Sequence, residues 1–405
     1  MDFRKSAIQT VRIYDNSAKL LPQIPEIMTV RQGQMTHLAD FATLLPLYWD
    51  HKASWIDHRA PLPRNGAMHE VITFQEALER ASDTKHLLAG NGFSRACRND
   101  IFSYSALFNQ ANFDGLSPAA RNAFGALNTT DFEVVIRALK QAALLASVYQ
   151  ENNPELSQRL NTDADGLREL LATTIAASHP ARPADIPNER YAACRTFLKN
   201  FNRIYTVNYD LLLYWALMQQ EIDPDIAFDD GFREPEDGPA DYVTWDVQRT
   251  DKQNIFYLHG GMHIFDAGAE LQKFTWCNTG VALIDQIRDA LETNRFPLFV
   301  AEGSYESKLD RIQHSGFLNR AYRSFAAIGG TLFMFGLSFG EADEHILKLL
   351  DSGKVKQAFI SLHGDPSSEG NTRIVQRAEL MIVRRPAQRP LSVEFFDADS
   401  AGVWG

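Results

Sequence analysis

Several apolar runs in this chain stop abruptly on glycine, asparagine or histidine and pass straight into a helical pattern. Residues 85–89 run into Gly90-Asn91-Gly92-Phe93-Ser94, and residues 204–207 end at Asn208-Tyr209-Asp210 ahead of a leucine-rich stretch. Residues 255–258 end at His259-Gly260-Gly261, and residues 331–335 end at Gly336-Leu337-Ser338-Phe339-Gly340. Strands alternating with helices of ten or more residues build βαβ units and a parallel sheet. Ligands of such sheets bind in the crevice beyond the carboxyl ends of the strands, which is where these polar residues fall. The expected fold is therefore α/β, a Rossmann-like parallel sheet flanked by helices, with a nucleotide site at one edge.

Further runs complete the pattern. A capping box, Thr73 with Glu76, opens a helix at 74–81. A helical insert at about 101–202 separates the glycine loop from the next strand. Within it Phe132, Val135, Ile136, Leu139, Ala143 and Leu144 form one helical face behind an N-cap at Thr130 or Asp131. Residues 221–254, which carry Asp223, Asp225, Asp229, Asp230, Glu234, Glu236 and Asp237, are expected to be a long loop or acidic lid. Strands are expected at 297–301, 355–361 and 391–396. Residues 1–67 are interrupted by prolines yet rich in Leu, Tyr and Trp near 44–55. They are expected to be a packed arm, or an extension ahead of a start near Met68, leaving 68–405 as the main domain.

Composition excludes some classes. A formal net charge of −11 argues against a protein that coats nucleic acid, which needs clustered Lys and Arg. Cys97, Cys194 and Cys277 are scattered, which fits neither a disulfide framework nor paired zinc ligands. No apolar run approaches a membrane span or the core of a signal peptide, so a cytoplasmic protein is expected.

The candidate site residues each carry a plain structural alternative. Gly90 and Gly92 permit a tight turn and close approach to a pyrophosphate, and the following helix start would favour its charge. Asn91 tolerates the left-handed conformation. An ordinary strand-to-helix turn explains that loop equally well, because a third glycine is missing where Arg95 stands. Asn208 and Asp210 suit a ribose hydroxyl or an attacking water, but also suit helix capping. His259 beside two glycines suits general base work. His263 lies four residues further on across a glycine turn, a poor frame for a metal.

With these segments in order, the chain resembles the SIR2-like, sirtuin-related family. The likeness rests on the Gly-Asn-Gly-Phe-Ser loop at 90–94, Thr-Val-Asn-Tyr-Asp at 206–210, Leu-His-Gly at 258–260 and Gly-Leu-Ser-Phe-Gly at 336–340. It is also similar to the bacterial DUF4917 branch, through Asp230-Gly231-Phe232, Glu302-Gly303-Ser304 with Lys308, and Asp343-Glu344-His345-Ile346. The resemblance implies NAD as substrate and cleavage of its nicotinamide–ribose bond without a metal. It implies Asn208 and His259 as the catalytic pair, with Asp210 orienting. Gly90, Asn91, Gly92, Phe93 and Ser94 would cover phosphates and ribose. Gly336 and Ser338 would flank the adenosine half, and Asp343 completes the binding set. The missing four-cysteine zinc module argues against protein deacylation. Relatives without zinc are often NAD hydrolases of anti-phage defence, so a homo-oligomer and an activating phage or host protein are expected partners. The alternatives are a non-catalytic regulatory or scaffold protein that binds NAD or ADP-ribose and, ranked below it, an NAD-dependent deacylase or ADP-ribosyltransferase.

Overall fold

The computed structural model describes residues 70–405 apart from 83, 150–153, 223–226, 237, 239, 276–279 and 302–304. The expectations for residues 1–67, and those resting on Cys277 and on Glu302-Gly303-Ser304, lie outside the described residues. The strands in chain order are β1 (Val71–Ile72), β2 (Lys85–Ala89), β3 (Arg203–Thr206), β4 (Phe232–Arg233), β5 (Tyr242–Trp245), β6 (Ile255–Tyr257), β7 (Ile264–Asp266), β8 (Leu271–Phe274), β9 (Gly329–Phe335), β10 (Lys354–Leu362) and β11 (Ser392–Asp397). A seven-stranded sheet runs β1-β11-β10-β9-β2-β3-β6. Every pairing in it is parallel. Counting β2 as the first strand, β6-β3-β2-β9-β10-β11 follows the 3-2-1-4-5-6 order of the Rossmann fold, with β1 added at one edge. The chain thus steps outward from β2 to β3 and β6, then returns to the other side of β2 with β9. The switch point lies between β2 and β9.

These strands read as continuous apolar runs because both of their faces are buried. Alternate residues enter opposite cores. Leu87, Ala89, Ile204, Phe333, Phe335, Phe359 and Phe396 join one cluster. Leu88, Tyr205, Leu332, Met334, Ile360 and Phe395 join the other. Phe74 bridges strands and helices in the first cluster, with its ring centroid 5.2 Å from Phe197, 5.7 Å from Phe333 and 5.6 Å from Phe396.

The helix carrying Phe74 spans Phe74–Arg80 and starts on the expected capping box. The Glu76 amide donates to Thr73 Oγ1 at 3.2 Å, and the Thr73 amide donates to Glu76 Oε2 at 2.7 Å. Thr73→Ala removes one half of that exchange. It is expected to lower the unfolding free energy by about 1 kcal/mol in denaturant melts. A variant as stable as the parent contradicts a supporting role for the cap.

The insert between β2 and β3 is helical, as expected, and its longest helices are Phe132–Tyr149 and Glu155–Ser178. Leu144 departs from the expected apolar face. It is 69% exposed, because it lies five residues past Leu139 and so falls off the buried stripe.

Two expected features take a different form. Residues 221–254 are not a structureless lid, since β4 and β5 belong to a second, antiparallel sheet of order β4-β5-β8-β7. Asp229 bonds Arg233 at 2.6 Å and Asp230 pairs with Lys273, so two of the acidic side chains hold this sheet together. Asp223, Asp225 and Asp237 lie outside the described residues. Residues 297–301 form no strand of either sheet; they meet the segment after β6 in an isolated bridge, Gly260 with Phe299, where the Gly261 and Val300 amides donate to the Leu298 and His259 carbonyls at 3.0 and 2.9 Å. Among the described residues no helix is long and apolar enough to cross a membrane.

Candidate functional site

A cavity of about 870 Å³ opens at the β2/β9 switch point. That volume lies within the range of small-molecule and cofactor sites. Its wall includes Gly90, Asn91 and Gly92 after β2, Asn208 and Asp210 after β3, His259 after β6, and Gly336, Ser338 and Asp343 after β9. Segments far apart in sequence therefore meet in one crevice because the strands bearing them are parallel and adjacent. No described residue of 221–254 borders it.

The glycines serve close packing. Gly90 is extended and caps the helix Asn91–Phe102, whose regular geometry breaks at Arg98. Asn91 is the first helical residue and is not left-handed, since the non-glycine residues with positive φ are Asn128, Asn294 and Phe339. A Cβ on Gly92 would sit 2.4 Å from the Gly336 Cα, and one on Gly336 would sit 2.5 Å from the Gly92 Cα. Gly336 also holds φ at +69°, a region glycine enters at no steric cost. The Gly90 and Gly92 amides donate to the Phe335 and Gly336 carbonyls at 2.9 and 2.8 Å. These two amides join the loops after β2 and β9 and are not directed at a ligand.

Phe93 and Ser94 lie behind the wall. Phe93 is 1% exposed against Trp404, whose indole N–H donates to the Phe93 carbonyl at 2.9 Å. Ser94 is fully buried and joins Asn208 to Asp210. Its hydroxyl donates to Asp210 Oδ2 at 2.5 Å and accepts from Asn208 Nδ2 at 2.9 Å. Asn208 Nδ2 also donates to the Gly90 carbonyl at 3.0 Å. That carbonyl fixes the amide orientation, because a flipped side chain would place two acceptors in contact. Both N–H groups of Asn208 are thereby committed, and Oδ1 is what it offers the cavity. Asp210 Oδ1 accepts from the Leu212 amide at 2.9 Å, the expected capping contact. Burial pushes the Asp210 carboxyl up, against the lowering effect of the Ser94 and Leu212 bonds.

His259 is 1% exposed and its Nε2 lies 2.8 Å from Nε2 of His345, with the two rings stacked. One of these nitrogens carries the shared proton, so His259 Nε2 is committed to His345. Burial first, then the charges of Lys308 and His345, hold His259 well below the usual imidazole range. A backbone hydrogen bond with Val207 opposes them. His263 is completely buried against Tyr214 and Tyr257. It is not part of the cavity wall.

A group of acidic residues, Asp131, Glu133 and Asp343, lines the same cavity as His259. Glu133 Oε2 lies 2.6 Å from Lys308 Nζ, and Glu133 Oε1 lies 2.6 Å from the Tyr209 hydroxyl. Asp131 Oδ1 accepts from the Glu133 amide at 2.9 Å and so caps the helix Phe132–Tyr149. Burial, then Glu133, pushes Asp131 up to about 6. Burial also pushes Asp343 up to about 6, with Lys308 lowering it and Glu133 raising it. Glu133, Arg137 and Trp404 line the cavity as well, and sequence patterns alone do not single them out. The available signal was the N-cap at Asp131, which puts Glu133 in the first turn of its helix without showing which way that turn faces.

Fold and site together define a Rossmann-like α/β protein with a ligand-sized crevice at its topological switch point. The chain belongs to the family described as Domain of unknown function (DUF4917), whose model matches residues 87–404. A search of curated proteins finds no match to the chain.

Proposed function

We propose that the protein is a SIR2-like NAD hydrolase that cleaves the nicotinamide–ribose bond to give nicotinamide and ADP-ribose. One observation carries the reading: a single switch-point cavity is bordered by Gly90, Asn208, His259 and Gly336, the residues on which the sirtuin-like resemblance rests. A volume of about 870 Å³ suits a dinucleotide-sized ligand. The nicotinamide ring leaves as a neutral molecule from a cationic pyridinium, so its departure needs little acid. The transition state resembles an oxocarbenium ion, which the carboxyl groups at 131, 133 and 343 favour electrostatically. Asn208 Oδ1, which has no hydrogen bond among the described residues, accepts from a ribose hydroxyl or the attacking water. Ser94 and Asp210 hold it in place.

Such an activity empties a cell of NAD and must be restrained. The reading therefore includes a cytoplasmic anti-phage effector controlled by self-association or by a phage or host protein. Purified full-length protein incubated with NAD is expected to release nicotinamide, and Asn208→Ala is expected to slow release at least about 100-fold. Equal release by parent and variant removes Asn208 from the mechanism. The engagement of His259 Nε2 by His345 favours a second reading, in which NAD or ADP-ribose binds without turnover. Calorimetric binding with no product after hours selects it.

A further inference from the structure

The carboxylates around the cavity are not equivalent. Glu133 is held by Lys308 and Tyr209, and Asp210 by Ser94 and Leu212. Asp131 bonds the Glu133 amide, Glu341 pairs with Arg137 at 2.7 Å, and Asp399 with His363 at 3.1 Å. Asp343 differs. It lies in the cavity wall at the end of the 3-10 turn Glu341–Asp343. It sits at the N-cap of the helix Glu344–Ser352 without making a side-chain capping bond. Among the described residues its carboxylate has no hydrogen bond or ion pair. Asp343 and His259 line the same cavity and both feel the charge of Lys308.

We propose that Asp343 is the general base of the reaction, accepting the proton of the attacking water, while His259 is a positioning residue fixed by His345. The inference rests on the NAD-hydrolase reading above. In the step, the water oxygen bonds to the ribose C1′ as the C1′–N bond breaks. The bonding electron pair passes to the nicotinamide ring and neutralises its charge. The water proton moves to an Asp343 oxygen and is released to solvent before the next turnover. Geometry makes the case, since Asp343 is an uncommitted cavity acceptor and His259 Nε2 is already engaged. The titration supports it, because a carboxyl pushed up to about 6 is a stronger base than an ordinary one and is still ionised near neutral pH. The titratable and charged groups around it are Lys308, Glu133 and Tyr104, together with His345 on its own helix and the His259 it holds.

The test uses the full chain, with NAD as probe. Parental kcat is expected to rise with pH through about 6. Asp343→Asn is expected to lower kcat about 100-fold, leave KM within about twofold and abolish that rise. Asp343→Glu, which retains a carboxylate, is expected to recover part of the rate with a displaced profile. Calorimetric binding of ADP-ribose to each variant verifies an intact site. An Asp343→Asn protein that turns over NAD within about twofold of the parent, with the same pH profile, overturns the assignment and leaves the NAD-hydrolase reading standing. A flat parental profile together with full activity in Asp343→Glu also overturns it. A parent that releases no nicotinamide overturns the hydrolase reading, and the assignment with it.

Discussion

Gly336→Ala is expected to lower the unfolding free energy by about 3–4 kcal/mol. Two costs combine. An L side chain at φ +69° occupies the left-handed region, at about 1–2 kcal/mol. The new Cβ also lies 2.5 Å from the Gly92 Cα and 2.8 Å from the Gly92 carbonyl carbon and amide nitrogen. Those are backbone atoms, so no rotamer change relieves the clash, and overpacking of this kind costs about 1–3 kcal/mol. The loops after β2 and β9 must separate, which breaks the Gly92 amide bond to the Gly336 carbonyl and loosens the cavity wall. Gly125→Ala is the control. Its Cβ would meet nothing within 4 Å, in the helix Pro118–Ala126. It is expected to be neutral or to stabilise by about 0.5 kcal/mol. Denaturant melts of both variants decide the matter, and equal stabilities would contradict the packed-glycine account.

Lys308→Met is expected to cost about 3 kcal/mol. The Lys308 side chain is fully buried and pairs with Glu133 at 2.6 Å. Methionine keeps most of the apolar stem and removes the charge, leaving Glu133 with its Tyr209 contact. Removing one member of a buried pair strands the other in a poorly solvated place, which costs more than the intact pair contributes. The glutamate side chain is 20% exposed toward the cavity. Water there softens the penalty, so the low end of the usual range is expected. The double variant Lys308→Met/Glu133→Gln removes the stranded charge while retaining a partner for Tyr209, and is expected to recover at least half of the loss. A single variant within about 0.5 kcal/mol of the parent contradicts the pairing.

Six strands of the seven-stranded sheet were legible because doubly buried strands are rich in apolar residues and must end where the crevice begins, whereas the two-residue β1 (Val71–Ile72) was too short to give a signal. The Leu332–Phe335 run of β9 and the Ala358–Ile360 run of β10 both show this, and the Thr73–Glu76 cap marked a helix start through chemistry confined to four residues. What escaped the sequence depends on contacts between distant positions. Gly92 and Gly336 are required by each other, so neither segment alone reveals that its glycine serves packing rather than a phosphate. The stretch 221–254 looked like a lid because Lys273, the partner of Asp230, lies well beyond it in β8. Residues 297–301 had a strand's composition, yet they pair with the segment after β6 in an isolated bridge and not with a strand of the parallel sheet. Asn208, Asp210 and His259 could be placed at strand ends from sequence. Their hydrogen-bond commitments to Gly90, Ser94, Leu212 and His345 could not be read there, and these commitments determine which atoms remain for a ligand.

The most direct measurement is nicotinamide release from NAD by the purified full-length chain, with its Asn208→Ala variant alongside. Stoichiometric nicotinamide and ADP-ribose from the parent, falling at least about 100-fold in the variant, is the predicted result. Tight binding of ADP-ribose without any product, or unchanged turnover when Asn208 is truncated, would contradict it.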